Sequence, residues 1–111
     1  MRTLVGLTNL TGEAAYREAA EAVMRHLFDT LSDSNGLFYW GGHVAFDLEK
    51  NQIVTGKSGP HELKCHYPFY EFMWELDPEG TKRYIEAFWN AHIYDWSVLD
   101  FSRHGKYDIE M

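Results

Sequence analysis

The dipeptide Asp77-Pro78 constrains this chain more tightly than any other pair of residues. An aspartate at the cap position accepts an N–H of the first turn, and a proline at the first helical position lacks the N–H that would have no partner there. A helix must therefore start at this point, and Glu79 in its first turn suits the dipole. The pattern predicts a helix from about Pro78 to Tyr94, with Tyr84, Ile85, Phe88, Trp89 and His92 near one face. Immediately upstream, Phe69, Phe72, Met73 and Leu76 follow helical spacing, with Tyr70 and Trp74 on an adjacent face, and Pro68 suits a first turn. The spacing predicts a second helix over about Tyr67 to Leu76 whose Phe69, Phe72 and Met73 pack in the core. Two helices joined by so short a turn must lie roughly antiparallel.

Upstream of this pair, Thr11 reads as an N-cap and Glu13 as a dipole partner for a helix. Its apolar stripe is Tyr16, Ala19, Ala20, Val23, Met24, Leu27, Phe28 and Leu31, with Glu18, Glu21, Arg25 and Asp29 on the solvated side. Ser34, Asn35 and Gly36 read as its stop. Residues 37 to 58 change character, with β-prone runs at Leu37 to Trp40, Val44 to Leu48 and Gln52 to Thr55, separated by Gly41-Gly42 and Glu49-Lys50-Asn51. These predict a small hairpin. From Trp96 to Gly105 no period is visible, so this stretch reads as loop or short turns, with Asp95 and Asp100 as caps.

With 111 residues the chain supports one domain and a small core. Aromatic residues make up 16%, more than such a core can absorb, so rings are expected at an interface or in a groove. The chain thus reads as a single incomplete domain over 1–111, completed by further polypeptide or by a second copy. A net charge of -7 excludes a nucleic-acid face, which needs clustered Lys and Arg. No run reaches the roughly 20 apolar residues of a membrane span, and no secretory signal is visible at the N-terminus. The single cysteine, Cys65, forms no intrachain disulfide, and either a cytoplasmic or a periplasmic location fits. The Asn9-Leu10-Thr11 sequon is short enough to arise by chance and carries no argument.

Chemistry-bearing residues crowd into His61 to Gly105, which holds four of the six histidines, and His43 adds a fifth just upstream. Imidazole and carboxylate together are the ligand set of divalent transition metals. The candidates are His43, His61, Glu62, His66, His92 and His104, although a structural hydrogen-bonding role is the ordinary reading of any one histidine. The HELKCH stretch places His61 and His66 five residues apart, off the i, i+4 spacing of a helical zinc motif. Gly41-Gly42 lets the backbone before His43 bend sharply or approach a ligand. Lys64 is a candidate for binding a carboxylate, and Trp40, Tyr67 and Trp96 are candidates for stacking on sugars, with Tyr70 and Trp89 behind them. Asn90 and His92 could bond sugar hydroxyls or satisfy the helix surface.

The order His43, Glu62, then the Arg103-His104 pair, at separations of 19 and 42 residues, resembles polysaccharide lyase family 2, the metal-dependent pectate lyases with an alpha/alpha toroid fold. The resemblance covers most of the segment from Gly36 to Gly105. It implies a mainly α fold, a fragment of an (α/α) toroid with a small inserted β-hairpin, and the order helix, hairpin, helix, helix is what a piece of such a toroid would show. It implies that His43, Glu62 and His104 hold a divalent metal ion, foremost Mn2+, and that Arg103 is the catalytic base. The partner so implied is an acidic polysaccharide or oligogalacturonate, cleaved by β-elimination.

Elementary chemistry agrees with those residue types. Removing the C5 proton of a uronate puts charge on the adjacent carboxylate, which a bound cation stabilises. For Arg103 a second role stays open, a clamp on the substrate carboxylate, because a guanidinium keeps its proton to above about pH 12. Two other readings stand beside the lyase. One is a toroid glycoside hydrolase using Glu62 with Asp95 or Asp100, and the other is a non-catalytic carbohydrate-binding piece.

Overall fold

The computed structural model describes residues 1–39, 44–55 and 69–104. Four helices carry the fold: α1 (Arg2–Thr11), α2 (Ala14–Thr30), α3 (Tyr70–Leu76) and α4 (Pro78–His92). Two antiparallel strand pairs accompany them, β1 (Val44–Asp47) with β2 (Gln52–Thr55), and β3 (Ile93–Asp95) with β4 (Asp100–Phe101). The described part is mainly helical with small strand pairs, as expected.

The N-terminal residues were not expected to form a helix, yet α1 packs against α2 and lays Leu4 and Val5 on the core. Gly12 ends it in the left-handed region at φ 76°, donating its N–H to the Thr8 carbonyl at 2.8 Å. Thr11 is therefore the last residue of α1 and not the cap of α2. Its hydroxyl donates back to the Leu7 carbonyl at 2.7 Å and accepts the Glu13 N–H at 3.2 Å, which joins the two helices across a two-residue break. On α2 the buried stripe is narrower than the periodicity suggested: Ala20 and Met24 are buried, Leu27 and Phe28 half-buried, and Ala19 and Val23 exposed. Arg17 crosses from α2 to α3, donating to Glu21 at 3.0 Å and Glu75 at 2.7 Å with its guanidinium over the Phe72 ring.

Helix α2 stops at Thr30, before the expected Ser34-Asn35-Gly36 signal, and those residues form a turn instead. Asp33 N–H donates to the Leu37 carbonyl at 2.7 Å, and Ser32 bridges Phe38. The Leu37 to Trp40 run is thus an isolated bridge and not a strand over its described part, and it drives Leu37 and Phe38 into the core. Gly36 lies at φ 92°, where a Cβ would meet Arg83 Cγ at 3.0 Å and the Arg83 carbonyl at 3.2 Å. Arg83 Nη2 in turn donates to the Ser34 carbonyl at 2.8 Å, so this turn is fastened to α4.

The first strand pair is the hairpin expected from residues 44 to 55, in the register Val44 with Thr55 through Asp47 with Gln52. Asp47 accepts the N–H groups of Glu49 and Lys50, each at 3.0 Å, and Asn51 takes the left-handed conformation the reversal needs. An edge-on contact between Phe46 and His26, centroids 5.1 Å apart, ties the hairpin to α2.

Helix α3 begins at Tyr70, later than the Tyr67 expected, and Pro68 lies outside the described residues. Phe72 and Met73 are buried and Phe69 packs partly buried on the core, as their spacing required. The Asp77 break is as the sequence demanded, since its carboxylate accepts the Gly80 N–H at 2.9 Å. The buried line on α4 is Thr81, Tyr84, Ala87, Ala91 and His92, with Ile85 and Phe88 half-buried and Trp89 exposed. Small residues bring α4 close to the Gly36 turn, and Tyr84 stacks on Phe38 at 4.3 Å.

Candidate active site

Helix α4 ends at His92, two residues short of Tyr94, and the following stretch is a strand pair where a loop was expected. The cause lies in local chemistry. The Asp95 carboxylate accepts both the N–H and the hydroxyl of Ser97, at 2.9 and 2.6 Å, and Leu99 takes φ 54°, so the chain reverses and Asp100-Phe101 returns beside Ile93 and Asp95. Asp95 caps this turn and no helix, and Asp100 is a strand residue and not a cap.

This reversal brings the end of β4 and the Arg103-His104 pair back to the C-terminus of α4. Ser102 N–H donates to the His92 carbonyl at 2.9 Å, and the Ser102 carbonyl faces His92 Nδ1 at 2.9 Å. Because a carbonyl can only accept, Nδ1 carries the proton. His92 is fully buried, and that burial pushes its pKa below the ordinary imidazole value, with a smaller push in the same direction from His104 and an opposing one from the Ser102 carbonyl. Of the roles open to His92, metal ligation, sugar contact and local satisfaction, the hydrogen bond to Ser102 is an instance of the last. Tyr94 donates its hydroxyl to the His104 carbonyl at 2.9 Å, and His104 N–H donates to Ser102 Oγ at 3.3 Å.

Arg103 and His104 themselves are exposed, adjacent, and carried on backbone fixed at both ends. The same segment, with the end of α4, carries an aromatic cluster. Trp96 is 56% exposed and Trp89 40%, with ring centroids 6.3 Å apart, and Phe101 approaches Trp89 at 5.6 Å. Trp96, a candidate for stacking on sugars, is thus open to solvent and seven residues before Arg103 in the chain. His43, Glu62, Lys64, Trp40 and Tyr67, along with His61, Cys65 and His66, lie outside the described residues. Among the described residues no three His, Cys, Asp or Glu side chains gather as a metal site, and His104 is the described member of the expected ligand set.

Sequence reading missed His92 and Tyr94 as the groups that anchor this segment. The signal available was the β-prone Ile93-Tyr94 followed by Asp95-x-Ser97, a strand and turn signature that the helical periodicity of α4 masked.

All 111 residues match the family model described as periplasmic pectate lyase. The chain belongs to that family. A pectate disaccharide-lyase from Dickeya dadantii (strain 3937) is 42% identical over 110 residues, covering 96% of this chain and 20% of the relative. The chain therefore spans about a fifth of the length of that curated pectate lyase relative. The family resemblance read from His43, Glu62 and Arg103-His104 is thereby borne out at the level of the family. Among the described residues of this pectate lyase family member, no helix is long and apolar enough to cross a membrane.

Proposed function

We propose that this chain contributes the metal-binding and catalytic edge of a divalent-metal-dependent lyase that cleaves polygalacturonate by β-elimination in the periplasm. The family match along the whole chain carries the reading, and the exposed, anchored Arg103-His104 pair supports it. The remainder of the proposed (α/α) toroid would come from polypeptide beyond these helices, consistent with the much greater length of the relative.

His43, Glu62 and His104 would hold the ion, foremost Mn2+. Two imidazoles and a carboxylate are a donor set such ions accept, and His104 stands on backbone fixed by Ser102 and Tyr94. When bound, the ion would neutralise the uronate carboxylate and so stabilise the charge that develops on loss of the C5 proton. Arg103 would act at the substrate: once desolvation and the nearby cation have made its guanidine neutral, it would take up the C5 proton while the C4–O4 bond breaks, leaving a C4=C5 double bond on one sugar and releasing the other with its O4, which takes a proton from water. Lys64 would add positive charge for an adjacent uronate, and Trp96, with Trp40 and Tyr67, would stack on pyranose faces.

The test is release of the unsaturated, ultraviolet-absorbing product from polygalacturonate by the full-length protein that contains this chain, before and after chelation. Activity that a chelator abolishes and Mn2+ restores supports the proposal. Activity indifferent to chelation removes the metal, and sugar binding without unsaturated product points to a non-catalytic role.

A further inference from the structure

The Arg103-His104 backbone is held on both sides, His92 and Tyr94 each binding a backbone group ten positions further along the chain. His92 engages both backbone groups of Ser102, one through its carbonyl and one through its ring, each at 2.9 Å. Tyr94, two residues on, donates its hydroxyl to the His104 carbonyl at 2.9 Å. The carbonyl preceding Arg103 and the carbonyl following it are thus both fixed.

The polarity of these two side chains needs explanation. A buried imidazole costs more than an aliphatic side chain of the same volume unless its polar atoms are bonded, so an apolar residue at position 92 would fill the space beside Phe88 at lower cost. Tyr94 is 41% exposed, so its hydroxyl contributes little to the core, and a phenylalanine would leave the fold intact. What both polar groups do is fix carbonyls on either side of Arg103. A metal ligand and a proton-transfer group must be held to within roughly 0.5 Å, and long exposed side chains achieve this only from rigid backbone.

We propose that His92 and Tyr94 are positioning residues that lock the Arg103-His104 backbone so that the histidine meets the ion and the arginine meets the sugar. This rests on the lyase reading of Arg103 and His104, and goes beyond it by assigning roles to two residues outside the proposed ligand and substrate set.

The experiment uses the full chain with Tyr94→Phe, and with His92→Asn beside His92→Leu. Tyr94→Phe deletes one hydroxyl at an exposed position, so Tm should stay unchanged. Removing one hydrogen bond of ordinary strength should lower kcat on polygalacturonate by roughly threefold to tenfold with KM little altered, and weaken Mn2+ binding measured by calorimetry on the metal-stripped protein by a similar factor. Amide exchange at Arg103 and His104 should accelerate in the same variant. His92→Asn, which keeps a donor near the Nδ1 position, should retain more activity and Mn2+ affinity than His92→Leu. Unchanged Mn2+ affinity and amide exchange in Tyr94→Phe would overturn the proposal, as would equal performance of the two His92 variants. Should the unmodified full chain release no unsaturated product, the lyase reading fails, and Mn2+ affinity and amide exchange still decide the positioning role.

Discussion

The Asp77 carboxylate accepts the Gly80 N–H at 2.9 Å, and a Cβ at Gly80 would run into that same carboxylate. The two residues thus form one device: a cap that works because its donor has no side chain. Replacing Asp77 with Ala should destabilise the protein by about 1 kcal/mol, the usual value of a capping side chain. Gly80→Ala should cost a similar amount despite the better helix propensity of alanine, because the new methyl also presses on Phe28 at 3.0 Å. Denaturant unfolding of the two variants checks this, and a stabilised Gly80→Ala would contradict it.

The Asp77 cap was legible because it is written in adjacent residues, Asp77-Pro78, although the part played by Gly80 was not read. The same holds for the hairpin of residues 44 to 55, where Asp47 and Asn51 encode the reversal locally, and for Phe72 and Met73, whose spacing places them inside. What escaped is what depends on partners far along the chain. Helix α1 contains Gly6, Thr8 and Asn9, poor helix formers, and is held by packing on α2. Strand β4 has two residues, too few to show alternation, and exists because Asp95 and Ser97 turn the chain back onto His92. In the candidate site the adjacency of Arg103 and His104 was visible in the sequence, while their anchoring by His92 and Tyr94 spans ten residues and a reversal that helical periodicity did not announce.

Gly36 is fixed by a different constraint. At φ 92° an L side chain is strained, and its Cβ would press on Arg83 Cγ and the Arg83 carbonyl. Gly36→Ala must either distort the turn or push it away from α4, loosening Leu37 and Phe38. We expect a loss on the order of 1–3 kcal/mol, read as a lowered denaturation midpoint with an unchanged denaturant slope.

Stability should depend on pH through His92. Its pKa is lowered in the folded protein, chiefly by burial, so the unfolded chain takes up a proton at this residue at a pH where the folded protein does not. The contribution is fully present above the unfolded imidazole value of about 6.5 and is lost as pH falls below it toward the lowered folded value. The metal-free full chain should therefore melt at a lower temperature at mildly acidic pH than at neutral pH. In His92→Asn, which cannot titrate, that slope should flatten even though the absolute Tm falls. An unaltered slope would show that other groups set it.

Trp96 offers the cleanest test of the proposed sugar-binding role, because at 56% exposure its ring has little to do with the core. Trp96→Ala should leave Tm nearly unchanged and raise KM for polygalacturonate about threefold to tenfold, the range expected for loss of one aromatic contact. An unchanged KM would exclude this ring from the substrate path.

Arg103 can be separated into its two conceivable roles by substitution with lysine. A carboxylate clamp relies on charge and a planar fork, so Arg103→Lys, which keeps the charge, should then act mainly on KM. A proton acceptor fixed in line with C5 relies on position, and displacing it should lower kcat by about 100-fold or more while KM holds. The backbone on both sides of Arg103 is pinned by His92 and Tyr94, an investment in position that a mobile electrostatic clamp would not require. We therefore expect Arg103→Lys to fall chiefly in kcat, with Mn2+ affinity retained because His104, the proposed ligand, is untouched. Steady-state kinetics on polygalacturonate, with calorimetric Mn2+ titration of the same preparation, decide the matter; a variant that loses only KM returns Arg103 to the role of clamp.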